Sequence, residues 1–212
     1  NYTISIGTVL DCIGNSGPAS ISFLYEEVEQ AESYDIIINE IMHDPSPVVG
    51  LPEVEYIELL NRSNKLINLG GFQVEDASGQ FAFFPNYLLG PGEYVLIASS
   101  AVSPYDGYTN FIKLVNLPSL NTEDVVILKR NDGFIVDAVD YQLAWYQDSD
   151  KDNGGWSLER ISTEWPCQGF ENWRASMDIT GGTPGRENAQ SSSDQDVVAP
   201  SVISAYPITA DS

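Results

Sequence analysis

The acidic run Asp148-Ser149-Asp150-Lys151-Asp152-Asn153-Gly154 sets three carboxylates on alternate positions, and Glu159 follows at the twelfth place counted from Asp148. Alternate side chains can turn toward one centre, and a loop of this length ending on a glutamate is one way a protein surrounds calcium with oxygen. Asp148, Asp150, Asp152 and Glu159 are therefore candidate ligands for Ca2+, the cofactor these residues suggest. Two features count against the loop. Asn153 stands at the sixth position, where the sharp turn favours glycine, and no helix pattern flanks it. The plainer reading is a solvated acidic tip raised on Gly154-Gly155.

Other residue types offer less chemistry. Glu40 and Glu58 interrupt two apolar runs and could be read as the paired acids of a hydrolase, but strand-borne carboxylates without a neighbouring imidazole or metal have nothing with which to raise or share a proton. The single histidine, His43, precedes the Asp44-Pro45 turn and reads as an exposed turn residue rather than a base or a zinc ligand. No catalytic residue is assigned, and the chain reads as a non-enzyme. Cys12 and Cys167 permit one disulfide, which would clamp the N-terminal segment against the tryptophan-rich region; two capped thiols are the competing reading. Trp145, Trp156, Trp165 and Trp173 read as cover for the open end of a core, with a carbohydrate platform as the alternative. Gly181-Gly182-Thr183-Pro184-Gly185 is backbone punctuation, since no lysine or helix follows it as in a phosphate loop.

The elements that must position these residues are strands. Ile36, Ile37, Ile38, Ile41 and Met42 form one apolar run and Tyr56, Ile57, Leu59 and Leu60 another, joined by a proline-rich connection that reverses the chain. Asn39, Glu40, Glu55, Glu58 and Asn61 break into these runs and must face water or find partners. Tyr94–Ala98 is apolar on both faces and reads as a central strand. Val125–Leu128 and Phe134–Val136 flank Asn131-Asp132-Gly133, whose Asp-Gly is the strongest hairpin signal in the chain. Tyr2, Ile4 and Ile6 alternate with Thr3 and Ser5 as a strand, closed by turn residues 11–15, and Ser20–Tyr25 reads as a further strand. Residues 100–110 read as a surface loop. No segment carries a 3.6-residue apolar period over three turns, so the chain is all-β, of sandwich type.

Composition excludes two classes of partner. There are 31 acids against 9 bases, a net charge of −22 in 212 residues. A surface so poor in lysine and arginine repels nucleic acid and anionic lipid. No run reaches the roughly 18 apolar residues of a membrane helix, so direct membrane insertion is not expected. A chain beginning at Asn1 without a signal-peptide pattern reads as a piece of a longer protein.

Read in order, IIINEIMHDP, EYIELLNRS, INLGGFQVED, LGPGEYVLI, LVNLPSLNTEDVVILKRNDGFIVDAVDY, GGWSLERI, NWRAS and GGTPGREN resemble the lamin tail domain in its bacterial form. The resemblance spans residues 35–188, nearly three quarters of the chain. It implies an immunoglobulin-like β-sandwich, without catalytic residues of its own, that serves as an interaction or accessory module. The acidic DSDKDN insert is not a hallmark of that family. Residues 1–25 resemble the end of a preceding bacterial Ig-like domain and 198–212 the start of a following one, with linkers at 26–34, acidic, and at 189–197. Such tandem arrays imply a large secreted or surface-attached protein of Bacteroidetes type, whose partners are neighbouring domains of the same chain and other surface proteins or glycans. The implied role is a non-enzymatic spacer or interaction module; the alternatives are a carbohydrate-binding module using the tryptophan-rich end, or an accessory domain of a secreted hydrolase. Within the matched blocks, Glu58 and Arg160 suggest an ion pair, with solvent-facing side chains as the competing reading.

Overall fold

The computed structural model describes residues 2–23, 27–99 and 110–193. The expected loop at 100–110 therefore lies outside the described residues except for Asn110, as do Leu24 and Tyr25 of the second expected strand, residues 194–197 of the second linker, and the flank 198–212.

The apolar runs at Ile36–Asn61 become the centre of the molecule. β4 (Ile36–Met42) and β5 (Tyr56–Asn61) lie antiparallel. β10 (Tyr94–Ser99) joins β5, and β11 (Phe111–Leu114) runs parallel to β10. On the other side, β14 (Leu158–Arg160) pairs with β4 and β15 (Trp173–Ala175) with β14, giving the order β11-β10-β5-β4-β14-β15. Against this sheet packs a second, ordered β13-β12-β7-β8, from β7 (Gln73–Glu75), β8 (Phe81–Phe83), β12 (Asp124–Lys129) and β13 (Ile135–Tyr141). The Asp-Gly turn closes the β12–β13 hairpin, with Gly133 at φ 84° supplying the left-handed step.

Ile36, Ile38, Ile41, Ile57, Leu59, Val95 and Ile97 from the larger sheet meet Val74, Val126, Leu128, Val136 and Val139 from the smaller in one buried cluster. These residues alternate along their strands, which is how two facing sheets form a sandwich interior. The larger sheet carries a second, smaller apolar cluster on its outer face, where Met42, Tyr56, Leu96 and Ala98 pack with Leu51. That is why Tyr94–Ala98 is apolar on both faces.

Two other parts lie outside these two sheets, the first sharing their core through Ile67 and Leu89. β3 (Val28–Glu29), β6 (Leu66–Asn68) and β9 (Leu88–Leu89) form a small third sheet. The segment expected as the linker 26–34 therefore does not simply connect: Val28 pairs with Leu66, and Ala31 is fully buried in the core. β1 (Tyr2–Leu10) and β2 (Ser16–Phe23) make an antiparallel hairpin of their own, turned by residues 11–15, where the Asp11 carboxylate accepts the Ile13 and Asn15 N–H groups.

One irregularity positions the polar residues of β4. Its register against β5 shifts between Ile38 and Glu40, so Asn39 is a bulge. In a regular strand without the bulge, a strict period of two would put Ile36, Ile38 and Glu40 on one face and Ile41 on the other. With it, Ile41 returns to the core and Glu40 moves to the outer face.

Candidate functional site

On that outer face Glu40 has a glutamate directly opposite it on each side, Glu58 on β5 and Glu159 on β14. All three side chains belong to residues with 0% exposure. The row continues to Leu96 on one side and Arg174 on the other, but Arg174 is exposed and donates to the Gln147 side chain. Among the described residues no lysine or arginine hydrogen-bonds to any of the three glutamates.

What covers the row is the segment 181–192, a strap that crosses the sheet after β15. Its backbone and side chains supply donors to each acid. Oε1 of Glu40 accepts from the Thr183 N–H at 2.8 Å, from the Tyr56 hydroxyl at 2.7 Å and from the Ser157 hydroxyl. Glu58 accepts from the Gly185 N–H on one oxygen and from the Asn39 side-chain amide at 2.9 Å on the other. Glu159 accepts from the Thr183 hydroxyl and from the Gln190 N–H, both at 2.9 Å. Asn188 is wedged between β4 and β14, where its amide donates to the Asn39 and Arg160 carbonyls at 3.0 and 2.9 Å. It satisfies backbone acceptors that the bulge withdraws from the ladder.

The strap can approach this closely because its residue above the row has no side chain. A Cβ on Gly182 would lie 2.6 Å from both Glu40 Oε1 and the Tyr56 hydroxyl. The Gly-Gly-Thr-Pro-Gly run is thus more than punctuation. It is the part of the strap that reaches the acids.

Burial governs the electrostatics. Desolvation, then the neighbouring Glu159 carboxylate, lift Glu40 from its ordinary 4.5 to about 7. Glu58 is pushed well above the ordinary range by burial first and then by Glu40. The expectation that nothing raises a proton on these acids is therefore corrected, because the sealed interior and the acids themselves do so. As chemistry, the row can hold protons and accept backbone hydrogen bonds, yet each acid is closed off from any substrate.

The other sequence candidates resolve differently. Glu58 does not pair with Arg160. Arg160 projects from the opposite face of its sheet, where its guanidinium donates to Asp137 Oδ2 at 3.1 Å, to the Ile38 carbonyl at 2.9 Å and to the Pro166 carbonyl at 2.7 Å. Neither side chain faces solvent. His43 is buried rather than exposed, stacked on Tyr141 and edge-on to Tyr146, and burial lowers its pKa. Cys12 and Cys167 are free thiols, both exposed, one in the β1–β2 turn and the other beside the tryptophans. The loop acids and Glu159 are not brought together: Glu159 is engaged by the strap, Asp148 accepts the Asp150 N–H, and Asp152 accepts from Asn153. Among the described residues no group of three His, Cys, Asp or Glu side chains is arranged to hold a metal ion.

Trp173 is buried, with Trp145 and Trp156 packed on the same core, while Trp165 is 38% exposed. Between Trp145 and Trp173 lies an open cavity of about 260 Å3, also lined by Tyr34, Asp140, Arg160 and Gln168.

Two facing sheets of this kind define an Ig-like β-sandwich. The family model of the Lamin Tail Domain matches residues 29–142, more than half of the chain, and the protein belongs to that family. The family is a structural rather than a catalytic one. The match stops before β14, although β14 and β15 complete the larger sheet. No curated protein matches the chain.

Proposed function

We propose that the chain is a non-enzymatic interaction or spacer module within a larger secreted or cell-surface protein of bacterial, Bacteroidetes type, with the end of a preceding Ig-like domain at 1–25 and the start of a following one at 198–212. The observation that carries the reading is the fate of Glu40, Glu58 and Glu159. The acids best placed for proton chemistry are fully buried and spent on fastening the strap. A net charge of −22 adds solubility and keeps nucleic acid and anionic membranes away. Protease shaving of intact cells that carry the protein tests the setting: released peptides from residues 28–193 support surface display, and their appearance only after lysis contradicts it.

A second reading has an observation of its own. The cavity between Trp145 and Trp173 combines aromatic faces with the Asp140 carboxylate and the Gln168 amide, groups that stack on a sugar ring and bond its hydroxyls. Titration with neutral saccharides, followed by tryptophan fluorescence, tests it; a saturable change lost in Trp145→Ala supports the glycan-binding alternative, and a flat response removes it.

A further inference from the structure

The strap and the acid row share one set of hydrogen bonds, and among the described residues no lysine or arginine hydrogen-bonds to the row. Three carboxylates at opposed positions on adjacent strands cannot all carry charge in a sealed layer without a large electrostatic cost. The geometry shows where one proton can sit. All three of Glu40's closest donors converge on Oε1, and Oε2 has only the Thr183 hydroxyl at 3.5 Å, a hydroxyl already committed to Glu159 at 2.9 Å. Oε2 is therefore the oxygen able to carry hydrogen.

We propose that the Glu58–Glu40–Glu159 row and the strap above it form a pH-sensitive latch: protons held by the row keep residues 183–190 fastened, and their loss in mildly alkaline medium releases the strap. The strap is the last described segment of the chain, so the latch would set whether residues 183–190 are held on the sheet or released from it.

The surrounding charges favour this sense. From β5 the row meets the Tyr56 hydroxyl, which donates to Glu40, and from β10 Tyr94, which is pushed up to about 12 by burial, then by Glu58 and Glu187, and so contributes no charge near neutrality. Tyr146, also affected by Glu40, is raised by burial in the same way. On β14 the neighbouring Arg160 is turned to the other face and balanced by Asp137. On β15 Arg174 is directed to Gln147. The strap contributes Arg186 and Glu187. Arg186 would favour an ionised row, but its side chain is 57% exposed and paired with Asp178, so it offsets little of the cost of a sealed charge. The upward displacement of Glu40 and Glu58 agrees with the geometric argument.

The test is NMR on the whole chain labelled with 13C at glutamate carboxyl carbons, titrated between about pH 5 and 9, with amide exchange read at Thr183, Gly185 and Gln190 and corrected for intrinsic rates. The latch predicts buried glutamate signals that titrate near or above neutrality, one of them missing in Glu40→Gln, and a loss of at least about tenfold in protection at the three strap amides over the same range. Strands β5 and β12 serve as the internal control and should keep their protection. If every glutamate titrates below about pH 6, the row holds no such proton and the proposal fails. If the acids titrate high but strap protection does not follow them, the latch fails while the proton remains. Glu58→Gln provides the same comparison should Glu40→Gln not fold.

Discussion

Asp137 on β13 and Arg160 on β14 tie the two sheets of the sandwich together, their charged ends 3.1 Å apart and their side chains 0% and 1% exposed. The pair also repairs the backbone around the Asn39 bulge: Asp137 Oδ2 accepts the Ile38 N–H at 2.8 Å and Arg160 Nε donates to the Ile38 carbonyl. The Arg160 guanidinium lies 4.7 Å from the centre of the Trp173 ring, which adds a cation–π contact on the same side chain.

Removing one partner leaves the other charge buried and unpaired. Arg160→Ala and Asp137→Ala should each lower stability by about 3–5 kcal/mol in denaturant unfolding. The double variant should cost little more than either single one, a coupling that a double-mutant cycle reads directly. Purely additive losses would mean that the two act independently.

Asn188 makes the corresponding repair on the outer face. Asn188→Ala orphans the Asn39 and Arg160 carbonyls and should cost about 1–3 kcal/mol for each buried acceptor left without a partner. A change below about 0.5 kcal/mol would show that the strap is not held by this residue.

Much of this architecture was legible in the sequence, and the parts that were not have physical reasons. The Ile36–Asn61 pair, the central Tyr94–Ala98 strand and the Asp-Gly hairpin all follow from apolar runs and turn chemistry. The bulge at Asn39 left only a break in the spacing of Ile36, Ile38 and Ile41, and it alone decides that Glu40 meets Glu58 and Glu159. Arg160 pairs with Asp137 and not with Glu58 because pairing between sheets depends on which face a residue occupies: Glu159 points out and Arg160 points in, although they are consecutive. Glu159 reached the twelfth place of an acidic loop by coincidence of count, since β14 carries it away from that loop. β3 was missed because its two residues are exposed and acid-rich around them, so that only pairing with β6 reveals it.

The thiols offer a simple check. Both cysteines are exposed and free, so alkylation of the native, unreduced protein should add two groups by mass. Protection of both until reduction would mean that they are bonded to each other or to another thiol.

Calcium should not act through Asp148, Asp150, Asp152 and Glu159 as one site. Any rise in melting temperature on adding calcium should be the same in wild type and in Asp150→Ala/Asp152→Ala, as screening of a large negative charge requires. A shift confined to the wild type would restore the loop as a binding site.

The buried acid row is the centre of this account, with Glu40 and Glu58 as fastenings that carry protons, and stability against pH examines this most directly. Glu40 rises from 4.5 to about 7 on folding, so the folded state binds more protons in that interval and stability falls as pH climbs through it. The contribution is on the order of 3 kcal/mol, fully present below the unfolded value and lost as pH rises past about 7. His43, lowered by burial, acts in the opposite sense below its ordinary 6.5, and comparing two proteins at one pH cancels it. The decisive measurement is urea unfolding of wild type and Glu40→Gln at about pH 5.5 and pH 8. Glutamine resembles the protonated acid and can still accept at Oε1, so the account predicts that the stability of the variant relative to wild type rises between the lower pH and the higher one, by about 2 kcal/mol. A variant less stable than wild type by the same amount at both would contradict it, because the buried carboxylate would then be stabilising as an anion.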